Sequence, residues 1–276
     1  MLLPFTKMHG LGNDFIVVEG LSREVNLSSE QIRTLADRHT GIGFDQLLMI
    51  EPPQEYGVDF NYRIFNADGG EVEQCGNGVR CLAKYVCDKK LTSKMQITVS
   101  TMNALMQIQQ VDRDRFEVDM GEPRFAPEDL PFETSGIQDF YSLEHSKGTT
   151  EVGICSMGNP HAVIAVDSVE HADVSGIGPL IESHPRFPEH VNAGFMQIVN
   201  RQSIQLRVYE RGAGETRACG TGACAAMAVA RRFDLVDENV QVQLAGGPLD
   251  ISWKGQGSNL LMCGQATTVF EGKVRI

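Results

Sequence analysis

Gly70-Glu71-Val72-Glu73-Gln74-Cys75-Gly76-Asn77-Gly78 and Gly214-Glu215-Thr216-Arg217-Ala218-Cys219-Gly220-Thr221-Gly222 share the pattern G-E-x-x-x-C-G-x-G. A pattern of this length occurring twice decides the fold, because self-similarity at long period means that one supersecondary unit is built more than once. Two shorter matches keep the same order upstream: Gly12-Asn13-Asp14 with Gly158-Asn159-Pro160, and Gly43-Phe44-Asp45-Gln46 with Gly194-Phe195-Met196-Gln197. The chain therefore reads as two halves of like architecture. After each C-G-x-G the pattern turns helical, over Val79 to Val86 and over Ala223 to Arg232. The second is too rich in small apolar residues to be exposed, and both read as buried central helices.

Outside the repeat, Ser28 and Gln31 form a capping box, and Ile32, Leu35 and Ala36 follow at helical spacing. Alternation predicts strands at Gln96 to Ser100, Met106 to Val111, Phe116 to Met120, Ile204 to Val208 and Val240 to Leu244. Strands thus dominate around few helices, an α+β class. Pro123, Pro127 and Pro131 interrupt any amphipathic period, which suits a crossing between domains beginning near Gly121. Ser135 to Thr150 reads as a surface loop or edge hairpin.

With 276 residues, 42% hydrophobic and 22% charged, the chain has the composition of a globular protein of about two domains. A net charge of -12 opposes nucleic acid and anionic membrane. The longest apolar run, Ala223 to Ala230, is too short to cross a bilayer, and the N-terminus carries no secretory pattern, so a cytoplasmic location is expected. Seven cysteines, at 75, 81, 87, 155, 219, 224 and 263, form no C-x-x-C pair. They read as free thiols rather than a disulfide frame or a zinc site, and no metal is expected. Cys81, Cys87, Cys155, Cys224 and Cys263 read as small packing residues.

Cys75 and Cys219 differ, because each precedes a Gly-x-Gly helix entry where unpaired NH groups and the helix dipole favour negative charge. Thiolate is expected there. The NH groups of Gly76, Asn77, Gly220 and Thr221 can cradle an anion such as a carboxylate. Two related halves facing one cleft would present equivalent acid/base groups to opposite faces of one carbon, as stereoinversion by proton removal and return requires. A redox dithiol explains the thiols only, and a noncatalytic amino-acid-binding module explains the cleft but not paired thiols. Glu210, which aligns with Asn66, and the adjacent Arg211 approach the second motif and read as site residues.

Lys7-Met8-His9-Gly10-Leu11-Gly12-Asn13-Asp14-Phe15, Phe65-Asn66-Ala67-Asp68-Gly69, Gln74 to Gly78, Met157-Gly158-Asn159-Pro160-His161 and Glu210-Arg211-Gly212-Ala213-Gly214-Glu215 resemble the signature blocks of the diaminopimelate epimerase family. The resemblance implies a cofactor-free epimerase interconverting LL- and meso-diaminopimelate, on the route to lysine and peptidoglycan. It implies two pseudo-symmetric domains, each a mostly antiparallel barrel-like sheet around a central helix: residues 1–120 with 266–276, and 121–265. Carried onto this chain, Cys75 and Cys219 are the base and acid. Asn13, Gln46, Asn66, Asn159, Asn192 and Arg211 hold the polar ends of the substrate. The NH groups of Gly76, Asn77, Gly220 and Thr221 hold the carboxylate at the reacting carbon, and His161 and Glu210 tune the thiols. A homodimer is also implied. Proline racemase is the nearest rival, with a ring substrate of one carboxylate; Arg211 and the asparagines favour a longer dicarboxylic diamine.

Overall fold

The computed structural model describes residues 2–72, 76–102 and 104–276. Cys75 lies outside the described residues. The chain divides into two compact units, Met1–Asp119 with Cys263–Ile276, and Met120–Met262.

The first unit is built from β1 (Leu2–Gly10), β2 (Asn13–Glu19), α1 (Ser29–Ala36), β3 (Gln46–Glu51), β4 (Phe60–Asn66), β5 (Glu71–Val72), α2 (Gly76–Asp88), β6 (Gln96–Ser100), β7 (Leu105–Gln110) and β8 (Arg115–Asp119). The second holds β9 (Tyr141–His145), β10 (Gly148–Ser156), β11 (Pro160–Ala165), α3 (Val174–Glu182), β12 (Asn192–Asn200), β13 (Ser203–Glu210), β14 (Gly214–Thr216), α4 (Gly220–Arg232), β15 (Asn239–Leu244) and β16 (Gly247–Ser252). β17 (Leu261–Gln265) leads back into the first unit, where β18 (Thr267–Arg275) pairs antiparallel with β1.

Both units follow one plan. β2 runs parallel to β3 and β4 to β6, as β11 does to β12 and β13 to β15, while ladders such as β1 with β2, β3 with β4, β10 with β11 and β12 with β13 are antiparallel. Parallel neighbours need a long crossover, and α1, α2, α3 and α4 supply the four that these pairs require. α2 packs against β1, β2, β3, β7, β8 and β18, so the first sheet curls around it. α4 packs against β10, β11, β12, β13, β15 and β16 in the same way. The capping box closes on α1 from both sides, with Ser28 and Gln31 exchanging side-chain and backbone bonds, and Ile32, Leu35 and Ala36 face the core. The predicted edge hairpin is β9 with the start of β10.

The repeat extends to a buttressing ion pair. Arg63 on β4 grips Glu71 on β5 through Nε and Nη2, both at 2.8 Å, and Arg207 on β13 grips Glu215 on β14 at 2.7 and 3.0 Å. Such bidentate pairs fix the approach of each short strand to its helix. Register corrects one of the sequence matches. Gln46 faces Phe15 and Asn66, whereas His161 faces Asn192, and Ala193 faces Tyr209. The counterpart of Gln46 is therefore Asn192, not Gln197; the Gly-Phe pair common to both stretches aligned residues five positions out of register. The same registers place Asn13 with Asn159 and Asn66 with Glu210.

Helix α3 carries Gly176, Gly178 and Pro179, all poor helix formers, and shows no helical signal in the sequence. Tertiary contact overrides propensity: a Cβ at Gly178 would meet the Tyr209 side chain at 2.7 Å, so the glycine lets α3 lie close on β13.

Candidate active site

Cys219 is the N-cap of α4, in extended backbone with φ -117° and ψ 106°, and it is 4% exposed. Its Sγ lies 3.7 Å from Thr221 Oγ1. Burial and then the adjacent Glu210 carboxylate push its thiol well above the ordinary cysteine range, against weaker help to the thiolate from the Gly222 NH and Thr221. The expected thiolate is thus not what this environment favours at Cys219. The helix start alone does favour it, but desolvation and a like charge outweigh the dipole. Glu210 in turn accepts from the Thr216 hydroxyl.

His161 is 1% exposed, and burial, then Arg211, lower its pKa to about 3. It is a neutral imidazole. Its Nε2 lies 2.9 Å from Asn159 Oδ1, and Asn159 Nδ2 donates to Thr221 Oγ1 at 3.3 Å. With the amide set this way, His161 carries its proton on Nε2. The chain from His161 through Asn159 to Thr221 thus reaches the first turn of α4, next to the thiol. Asn192 is braced at both ends, donating to the Pro160 carbonyl at 3.0 Å and accepting from the Arg211 NH at 3.0 Å. That clamp sets the turn after β13. It leaves Arg211 exposed, with Nη1 donating to the Glu189 carbonyl at 3.1 Å.

The first unit gathers its own set. Gln46 Nε2 donates to Asn66 Oδ1 at 2.9 Å across β3 and β4, while Gln46 Oε1 is buried with no partner among the described residues. Gly12, at φ +87°, turns the chain between β1 and β2 and delivers Asn13; Gly158, at φ +88°, does the same for Asn159. Asn77 Nδ2 donates to Asn13 Oδ1 at 3.3 Å, so Asn13 meets the first turn of α2, which opens with Gly76 and Asn77. The second unit therefore brings its strand asparagine, its helix start and the end of β13 together, and the first brings Asn13 to the start of α2. Sequence reading missed Asp45, Arg80 and Thr216, which bind Asn13, Asn77 and Glu210. Arg80 could have been noticed, since a charge inside an apolar helix is rarely fully buried without a task.

The fold matches that of solved amino-acid epimerases and racemases. A hydroxyproline epimerase from Agrobacterium vitis superposes with a TM-score of 0.71 at 14% identity, covering 99% of this chain and 92% of that one. A probable proline racemase from Agrobacterium radiobacter gives 0.70 at 15%, covering 99% and 93%. Sequence narrows the class. The profile of the diaminopimelate epimerase family matches residues 5–126 and 153–269. Proteins named diaminopimelate epimerase from Chromobacterium violaceum and Stutzerimonas stutzeri are 56% and 53% identical over 276 residues, the full length of both partners. The chain belongs to the diaminopimelate epimerase family.

Proposed function

We propose that the chain interconverts LL- and meso-diaminopimelate, with Cys75 and Cys219 exchanging a proton with opposite faces of the α-carbon. The observation that carries this reading is the position of Cys219: a buried thiol at the start of a central helix, beside a carboxylate, in the repeat position of a second cysteine. In the reading, one thiolate takes the α-proton. The electron pair left on carbon is delocalised into the substrate carboxylate, which the NH groups of Gly76, Asn77, Gly220 and Thr221 receive at two positive helix ends. The other thiol returns a proton from the opposite face and becomes thiolate.

The surroundings of Cys219 favour the thiol, which supports a reading with Cys219 as the resting proton donor and Cys75 as the base. Asn13, Gln46, Asn66, Asn159, Asn192 and Arg211 hold the distal amino and carboxylate groups. The orphaned Oε1 of Gln46 supports this, because an ammonium would satisfy it. Neutral His161 and Glu210 set the electrostatics of the second thiol. Cys87, Cys155 and Cys219 carry free thiols, which supports a cytoplasmic setting, and the family suggests a homodimer.

Cys75→Ala and Cys219→Ala, assayed with LL-diaminopimelate, are each expected to abolish epimerisation in a folded protein. Wild-type turnover by either would refute the two-thiol reading. Cys87→Ala, at a half-buried position on α2, serves as the control.

A further inference from the structure

A one-way hydrogen-bond relay runs through the first unit between two fixed charges. Arg80, 0% exposed on α2, donates from Nη2 to Asn77 Oδ1 at 2.8 Å and from Nη1 to the Gly76 carbonyl at 3.2 Å. Asn77 Nδ2 donates to Asn13 Oδ1 at 3.3 Å, and Asn13 Nδ2 donates to Asp45 Oδ2 at 2.9 Å. A guanidinium offers only donors and a carboxylate only acceptors, so each amide between them has one allowed orientation. Flipping Asn77 would turn its NH2 against the guanidinium. Flipping Asn13 would turn its carbonyl against the carboxylate.

The acidic end is itself held. Arg38 Nη2 donates to Asp45 Oδ1 at 2.7 Å and to Asp14 Oδ1 at 2.7 Å, Lys7 bonds Asp14, and the Asp14 NH donates to Asp45 Oδ2 at 3.1 Å. The second unit keeps the helix-to-strand contact but not the charges. Counting from the two motif cysteines puts Cys224 where Arg80 stands, and strand register puts Val191 where Asp45 stands. There Asn159 donates to Thr221, so the direction of donation between strand and helix is reversed.

We propose that Arg80 and Asp45 are positioning residues of the reaction, the two ends of a relay that holds Asn77 and Asn13 in the single amide orientation presented to substrate. This rests on the reading that Asn13 and Asn77 meet the substrate. Arg80 bonds the Gly76 carbonyl and the Asn77 side chain, and so steadies the peptide groups that receive the reacting carboxylate. Asp45 fixes the side chain that receives the distal end. Neither residue touches the reacting atoms.

The test is the kinetics of Asp45→Asn, Arg80→Gln, their double variant and Asn13→Ala with LL-diaminopimelate, folding being checked by thermal melting. Asp45 has a 44% exposed side chain, so Asp45→Asn is expected to fold. Its KM should rise about ten- to a hundredfold, the loss of one hydrogen bond to a charged group, with a smaller change in kcat. The double variant should be no worse than the poorer single one, because breaking either end loses the same orientation. Losses that multiply, or an unchanged KM in Asp45→Asn, overturn the relay. Should Arg80→Gln fail to fold, Asp45→Asn decides alone. An unchanged KM in Asn13→Ala refutes the underlying substrate reading instead, while a raised KM there beside an unchanged one in Asp45→Asn refutes only the relay.

Discussion

Replacing Glu210 by Gln removes a like charge from beside a buried thiol, and its effect has a definite sign. In the folded protein burial and the Glu210 carboxylate both disfavour the Cys219 thiolate. Two unit charges about 4 Å apart at an effective dielectric near 20 repel by about 4 kcal/mol. The Thr216 hydroxyl donates to Glu210 and spreads that charge, so the Cys219 midpoint is expected to fall, by less than the bare repulsion would give. The assay is the pH dependence of alkylation by iodoacetamide, followed on the Cys219 peptide by mass spectrometry in wild type and Glu210→Gln. The kinetic consequence follows directly. If Cys219 is the resting proton donor, it must be protonated, and the basic limb of the kcat/KM profile moves to lower pH with the thiol. A midpoint that stays fixed or rises in Glu210→Gln refutes the electrostatic coupling between Glu210 and the thiol and leaves burial alone to hold Cys219 protonated.

Arg211→Lys should cut kcat/KM for diaminopimelate severely, by about a hundredfold, because a point charge cannot reproduce a guanidinium fork on a carboxylate; unchanged kinetics would remove Arg211 from the site. Burial opposes ionisation of Asp14, yet hydrogen bonds from Arg38 and Lys7 outweigh it and hold its carboxyl well below the usual range. Its stabilising contribution is present above the unfolded carboxylate pKa, about 3.9, and is lost as pH falls toward the lower folded value. Asp14→Asn should therefore cost about 2 kcal/mol at pH 7 and progressively less below pH 4, as read by urea titration. Gly178→Ala should destabilise by about 1 to 3 kcal/mol, since its methyl would sit 2.7 Å from the Tyr209 side chain; an unchanged melting temperature would show that α3 can shift away.

Five of the eighteen described strands were legible because of how they are buried. β6, β7, β8, β13 and β15 have one buried face and one largely exposed face, so their residues alternate and read as strands. β2, β3, β11 and the start of β12 are covered on both faces, with four or five consecutive buried residues each, and alternation cannot mark them. The repeat carried further than propensity did. It placed both central helices and matched Asn13 with Asn159 and Asn66 with Glu210, although it slipped at Gln46 where a chance Gly-Phe match stood five residues from the structural counterpart. The state of Cys219 was not legible. A motif shows that a thiol begins a helix, whereas its ionisation depends on burial and on a carboxylate nine residues upstream, brought in by pairing of β13 with β14. The relay was hidden likewise, since Arg80, Asn77, Asn13 and Asp45 are joined only by the fold.

The most direct test of the two-thiol account is turnover of LL-diaminopimelate in deuterium oxide, with the products resolved by stereochemistry and mass, and L-proline run alongside. The account predicts that each molecule of meso product carries one solvent deuteron at the inverted α-carbon, that Cys75→Ala and Cys219→Ala yield no inverted product, and that L-proline is left untouched. Inverted product that retains its original hydrogen, formed at wild-type rate by a protein lacking either thiol, would contradict it.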